Sequence, residues 1–195
     1  MNTALQVDVH CHVLPAMDDG ARDCAESRRI LSLLAEQGIR QVVATPHYYA
    51  HRESTESFLT RRKQAVKALR ESGEEILPAY PAAEVRLERG ISAIDELKQM
   101  AWGKRSYLLL ELPYSSYKSW MVEEIYNIAF RLNVVPVIAH LNRCLDWYSK
   151  AEMKEILSIQ EAVIQINNEA FFQRRTLKFA LDLLKDHRPV LLGSD

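Results

Sequence analysis

Along the chain, short apolar runs alternate with longer segments whose apolar positions recur three and four residues apart, the pattern of strands followed by amphipathic helices. Residues 5–9 predict a first strand. Asp23 with Glu26 three places on makes a capping pair, and Ile30, Leu31, Leu33 and Leu34 form a stripe that Gly38 ends, so a helix lies between them. Residues 40–45 predict a strand stopped by Pro46, with His47 just past its end and a polar loop over 48–53. Over 54–72 the spacing predicts a helix with Phe58, Leu59, Ala65, Val66 and Leu69 inward and the basic residues Arg61, Arg62, Lys63, Lys67 and Arg70 outward. A strand within 76–85 carries Glu84, a short helix covers 92–100, and a strand over 107–113 sets Glu111 in an otherwise apolar run. A helix over 117–132, a strand over 134–139 leading into His140, and a helix over 152–159 come next. A strand over 162–167, a helix over 169–185 with Phe172, Leu177, Ala180, Leu181 and Leu184 inward, and a strand over 190–195 complete the series.

Seven strands alternating with helices call for parallel βαβ units, either wrapped into a barrel or spread as an open sheet. His10 and His12, His47, Glu84, Glu111, His140 and Asp195 all fall at or near the C-terminal ends of six different strands. A closed barrel brings those ends to one mouth, whereas an open sheet scatters them along a line. Convergence favours a barrel, irregular because it has fewer than eight units, in a single domain over 1–195.

The formal net charge of −1 provides no global basic field, which argues against nucleic acid or an anionic membrane as partner. No leader is visible, and the apolar runs are far shorter than a membrane span, so no membrane insertion and a cytoplasmic setting are expected. Three cysteines without a CxxC pair read as reduced thiols, with Cys11 turned away from its flanking histidines.

His10 and His12, two apart on a strand, project together as a natural chelate, and Asp18 and Asp19 follow on a turn ended by Gly20. Each residue taken alone has an ordinary explanation: Asp19 as a turn former, His140 as a packed core histidine, Glu111 on an edge strand. Six strand ends all presenting His, Glu or Asp are a rarer coincidence, and a shared metal site accounts for them. Bridging carboxylates with terminal imidazoles suit two or three divalent ions, which points to hydrolysis with a metal-held hydroxide as nucleophile. No Cys is followed six places on by Arg, and GxxxxGKS/T, GxSxG and HExxH are absent.

The motifs HxH, DDG, TPH, IAHLNR and the terminal GSD, with the two glutamates, resemble the polymerase-and-histidinol-phosphatase (PHP) superfamily over almost the whole chain. The stretch DVHCHVLPAMDDGARD is most similar to the bacterial manganese-dependent protein tyrosine phosphatases of capsule and exopolysaccharide synthesis, the CpsB/CapC type. The resemblance implies a distorted (β/α)7 barrel with a trinuclear site, manganese being expected and iron, zinc or magnesium admissible. By motif position His10, His12, Glu84 and Asp195 would hold one ion, Glu84, Glu111 and His140 a second, and Asp19 and His47 a third. Arg143 matches the arginine that holds the substrate phosphate, a task suited to a guanidinium. The implied substrate is a phosphotyrosine protein, a tyrosine kinase of the exopolysaccharide machinery.

Two departures stand out. Asn142 replaces a common glutamate, and the family pattern continues past the final Asp to a further His and a closing helix that are not in this sequence. The expectation is an incomplete third ligand set and an uncovered last strand, open to pairing with a second copy. A small-molecule phosphoesterase of the histidinol phosphatase kind and a catalytically weakened scaffold are the alternatives.

Overall fold

The computed structural model describes residues 6–186 and 188–195, so Leu5 of the expected first strand lies outside the described residues. Strand β1 (Val7–Cys11) is followed by helix α1 (Cys24–Glu36), whose N-cap Asp23 accepts a hydrogen bond from the Glu26 N–H. Strand β2 (Gln41–Ala44) and the two-residue β3 (His47–Tyr48) follow, then helix α2 (Thr55–Glu71), capped by Ser54. Strands β4 (Ala79–Pro81) and β5 (Glu84–Arg86) precede two 3-10 turns, Ile91–Ala93 and Asp95–Met100. Next come β6 (Tyr107–Glu111), α3 (Trp120–Leu132), β7 (Val135–Ile138), a 3-10 turn Leu141–Asp146 and α4 (Lys150–Leu157). The described chain ends with β8 (Val163–Asn167), the 3-10 turn Asn168–Phe171, α5 (Arg174–Lys185) and β9 (Val190–Gly193).

All strand pairs are parallel, in a mixed α/β fold. Instead of one closed ring of seven, the ladders form a three-stranded sheet, β1-β2-β4, and a six-stranded sheet, β3-β5-β6-β7-β8-β9. The division arises because the strand expected within 76–85 breaks into β4 and β5, and because a further two-residue strand, β3, forms just past the expected stop of β2 at Pro46. Pro46 and Pro81 have no N–H to donate, so the path bends at each, and pairing resumes in the second sheet with His47 opposite Glu84. Hydrogen bonds from Ala82 N–H to the Ala44 carbonyl (2.8 Å) and from Glu84 N–H to the Pro46 carbonyl (3.0 Å) carry one sheet into the other. On the far side β9 lies against β1, and Asp195 N–H donates to the His10 carbonyl at 2.8 Å. Strand β9, expected to present an open edge, therefore has β8 on one flank and β1 on the other.

The main core lies between the strands and the helices, built from residues such as Leu31, Phe58, Leu108, Leu110, Ile125, Ile128 and Ile164. Two smaller clusters, Val9 with Val43 and Ala82, and Leu109 with Val137 and Ala139, sit apart from it and share Trp102 and Leu191 as partial cover. Strands of both sheets thus contribute to apolar packing away from the helices.

Three expectations about faces are corrected. Arg62 is buried rather than outward, and its guanidinium donates to the carbonyls of Ala82 and Gln99, both at 2.8 Å. Tyr48, expected to begin a polar loop, is buried against Phe58 with ring centroids 5.1 Å apart. The helix expected over 169–185 breaks after Phe171, which shifts its phase: Ala180 and Leu183 face inward, whereas Phe172 is 87% exposed and Leu181 and Leu184 are also exposed.

Candidate metal centre

Glu84, at the first position of β5 and fully buried, is the residue around which the polar end of the fold is arranged. Its Oε1 lies 2.7 Å from His140 Nε2, and its Oε2 lies 3.2 Å from His10 Nε2, 3.3 Å from His12 Nε2 and 3.0 Å from His47 Nδ1. Four imidazoles delivered by different parts of the fold therefore surround one carboxylate. Asp195, held at the end of β9, turns Oδ1 toward His10 Nε2 (3.3 Å) and His12 Nε2 (3.2 Å).

Local sequence explains the convergence. A register shift between Asp8 and Cys11 bulges β1, and Asp8 spans it, accepting from the N–H of His10 (3.1 Å) and of Ser194 (3.0 Å). His10 and His12 face the site together, their Nε2 atoms 3.1 Å apart, while Cys11 packs in the core. The Asp18-Asp19-Gly20 turn folds back onto β1, so that Asp18 Oδ2 accepts from His47 N–H (2.8 Å) and lies 2.7 Å from His12 Nδ1. Asp19 is largely exposed, its Oδ1 3.6 Å from His47 Nε2. His140 adopts a left-handed backbone (φ 28°) where the chain leaves β7, a strained conformation of the kind found at functional sites.

Three groups of side chains place donor atoms within 4.8 Å of one another: His10, His12, Glu84 and Asp195; His12, Asp19 and His47; and His47, Glu84 and Glu111. The expected set Glu84, Glu111 and His140 is not among them. His47 stands with the two glutamates, and His140 is hydrogen-bonded to Glu84 Oε1. Glu111 is buried with its Oε2 2.8 Å from Arg86 Nη1. Arg143, on the turn after His140, is half exposed, with Nη1 2.6 Å from Asp195 Oδ2 and Nε 3.0 Å from Glu169 Oε1. All eight expected metal-site residues and Arg143 thus lie at one end of the molecule.

The donor set fits divalent ions. Glu84 Oε2 and His47 Nδ1, 3.0 Å apart, are buried yet engaged in no well-formed hydrogen bond, a costly arrangement for lone protein atoms and an ordinary one for ligands. Nitrogen and oxygen donors without thiolate suit borderline and hard cations. Burial works against protonating His12, but Asp18, Asp195 and Glu84 outweigh it and lift its pKa to about 12. Burial also disfavours the charged form of Glu84, yet His10, His12 and His140 hold it well below the usual carboxylate range. The cluster is a tightly balanced pool of charge. Burial pushes the Cys11 and Cys144 thiols up to about 12, so neither supplies a thiolate nucleophile near neutrality.

His12, Asp19, His47, Glu111, His140 and Asp195 open into a cavity of about 650 Å³ that also receives Tyr49, Arg86, Tyr114 and Arg143, while His10 and Glu84 are fully buried. Tyr49 stacks on His47 (centroids 5.2 Å apart) and Tyr114 on His140 (5.8 Å). Sequence reasoning missed Asp8, Arg86, Tyr114, Gln165 and Asn167, and gave Asn142 no role. A signal existed for Gln165 and Asn167: they interrupt the apolar run VIQIN at alternate positions.

The family model for capsular polysaccharide synthesis, CpsB/CapC, matches residues 6–195. Tyrosine-protein phosphatase YwqE of Bacillus subtilis (strain 168) is 27% identical over 194 residues, spanning 97% of this chain and 76% of that protein. Tyrosine-protein phosphatase CpsB of Streptococcus pneumoniae is 27% identical over 144 residues, 70% of this chain and 57% of that protein. Among solved structures, a chain from the crystal structures of YwqE from Bacillus subtilis and CpsB from Streptococcus pneumoniae, described as unique metal-dependent tyrosine phosphatases, matches with a TM-score of 0.75. It is 27% identical, and the match covers 97% of this chain and 78% of that one.

Proposed function

The chain belongs to the CpsB/CapC family of capsular polysaccharide synthesis, and on that premise we propose that it is a metal-dependent tyrosine-protein phosphatase. Its substrate in this reading is a phosphotyrosine protein, a tyrosine kinase of the exopolysaccharide machinery, met in the cytoplasm. The observation that carries the reading is the buried Glu84 carboxylate with four imidazole nitrogens around it and one oxygen left without a hydrogen bond.

The first ion would be held by His10, His12, Glu84 and Asp195. A second falls to Glu84 and Glu111 with His47 or His140, and a third to Asp19 with His47 and His12. Manganese is the ion we favour, as the family resemblance implies; mixed imidazole and carboxylate donors admit it alongside iron and zinc. Such ions supply Lewis acidity toward phosphoryl oxygens and make water a competent nucleophile at neutral pH.

The chain's own groups do the rest. Arg143 lines the cavity, and Asp195 and Glu169 hold its guanidinium in place, so its N–H groups are oriented in advance for phosphoryl oxygens. Asp18 fixes His12 through Nδ1 and the His47 backbone through its N–H. Burial and Glu111 keep the Tyr114 phenol neutral, leaving it a donor beside His140. A tyrosine leaving group has a pKa near about 10, so departure as phenolate needs little acid assistance.

In the same reading the two sheets make up a distorted (β/α)7 barrel with the site at the C-terminal ends of its strands. The hydrogen bonds joining β2–β4 to β3–β5, the contact of β1 with β9 and the inner apolar clusters support it.

The test is turnover of a phosphotyrosine peptide, histidinol phosphate and a dinucleotide by the manganese-loaded chain, with His10→Ala as control. Selective hydrolysis of the peptide, lost in His10→Ala, is expected. Preference for histidinol phosphate would reassign the substrate, and metal binding without hydrolysis would make the chain a scaffold.

A further inference from the structure

Strand β8 contributes none of the eight candidate metal donors, yet the fully buried side chains of Gln165 and Asn167 reach three of the strands that do. Gln165 Oε1 accepts the His140 backbone N–H at 2.6 Å, which fixes which end of the amide is oxygen. The same oxygen lies 3.1 Å from His10 Nδ1, so that nitrogen must be the protonated one, and the Nε2 lone pair is left facing Glu84, His12 and Asp195. At its other end, Gln165 Nε2 donates to Asn167 Oδ1 (2.9 Å), and Asn167 Nδ2 donates to Asp195 Oδ2 (2.7 Å). That bond and Arg143 occupy Oδ2 and turn Oδ1 toward the imidazoles. Asn167 N–H is taken by Asn142 Oδ1 at 3.1 Å, which gives a role to the asparagine that departs from the family pattern.

We infer that Gln165 and Asn167 are positioning residues: a buried amide relay that sets the tautomer of His10 and the rotation of Asp195 so that both present lone pairs to the first metal ion. The inference rests on the metal-centre reading above. Neutral amides suit the task because they orient ligands without adding charge to a crowded pocket and without competing for the ion. Gly193 makes room for the relay, since a Cβ there would fall 2.5 Å from His10 Cβ and 2.9 Å from Gln165 Nε2.

The test pairs calorimetric titration of manganese with ring-¹⁵N NMR of the zinc-loaded, histidine-labelled chain. In the wild type, His10 should carry its proton on Nδ1. Gln165→Leu should weaken manganese binding about 10- to 100-fold and release that proton to rapid exchange, with far-UV dichroism unchanged. Asn167→Ala removes the Asp195 arm and the acceptor of Gln165 Nε2 but leaves Gln165 Oε1 held by the His140 N–H, and should weaken manganese binding while leaving the His10 signal in place. If Gln165→Leu fails to fold, the wild-type tautomer and Asn167→Ala decide. A wild-type His10 protonated on Nε2, or manganese affinity in the variants within twofold of the wild type, overturns the relay and leaves the metal centre standing. A wild type that binds no divalent ion overturns both.

Discussion

Gly20→Ala probes how closely the Asp18-Asp19-Gly20 turn is pressed against the first strand. A Cβ at this position would lie 2.2 Å from the His12 carbonyl oxygen and 2.4 Å from His12 Cβ. Neither atom can swing aside by a rotamer change, and non-bonded carbon contacts settle at about 3.5–4.0 Å, so the turn must retreat by about 1 Å or more. Retreat breaks the bond from Ala21 N–H to the His12 carbonyl (3.0 Å) and draws Asp18 away from His12 Nδ1 (2.7 Å) and His47 N–H (2.8 Å). Forced overpacking costs about 1–3 kcal/mol and a lost hydrogen bond about 0.5–1.5 kcal/mol, which places the expected loss at about 2–4 kcal/mol. For a domain of this size that lowers the melting temperature by roughly 4–15 °C. Urea unfolding of the metal-free variant measures the loss, and a manganese titration should show weakened binding, because Asp18 no longer orients His12. Stability within about 0.5 kcal/mol of the wild type with unchanged manganese affinity would refute the claim that this turn sets the site.

Three further perturbations test separate parts of the account. Arg143→Met should lower phosphotyrosine turnover about 100-fold or more with manganese stoichiometry unchanged, since the side chain faces the cavity and is not among the candidate ligands; steady-state kinetics checks this. Because Asp18, Asp195 and Glu84 overcome burial and keep His12 protonated well above neutrality in the metal-free chain, a bound ion must displace that proton. Manganese affinity should therefore rise from about pH 6.5 to about pH 8.5, and a flat profile would contradict the assignment. In the metal-free chain the same raised pKa stabilises the fold fully below the unfolded value of 6.5, and that contribution is lost as pH climbs toward about 12. Arg62→Met strands two backbone carbonyls that the guanidinium now satisfies and should cost about 2–4 kcal/mol in urea unfolding, while a loss under about 0.5 kcal/mol would contradict a structural role.

The elements that were legible in the sequence are those where local chemistry and tertiary packing agree. Asp23 caps its helix as its pairing with Glu26 requires, and the alternate spacing of His10 and His12 brings their Nε2 atoms together beside Glu84 despite the bulge that Asp8 bridges. Convergence of the donors was readable too, because strand ends of parallel units meet at one side. What escaped depends on partners distant in sequence. Arg62 belongs to a basic run, but Phe58, Arg62, Ala65 and Leu69 form one buried stripe of α2, so its position on that stripe was a better guide than its charge. Gln165 and Asn167 interrupt the apolar run of β8 at alternate positions, but their partners emerge only once β8 is seen between β7 and β9. That His47 brings a nitrogen within 4.8 Å of both Glu84 and Glu111 turns on side-chain distances, which no spacing rule encodes.

The central claim is that imidazoles and carboxylates from separate strands share neighbouring cations around Glu84. Counting divalent ions per chain by elemental analysis, after manganese loading and removal of excess metal, tests it most directly. The account predicts two or three ions on the wild-type chain and a clear loss in Glu84→Gln. Fewer than two on the wild type, or an equal count on the variant, would contradict it.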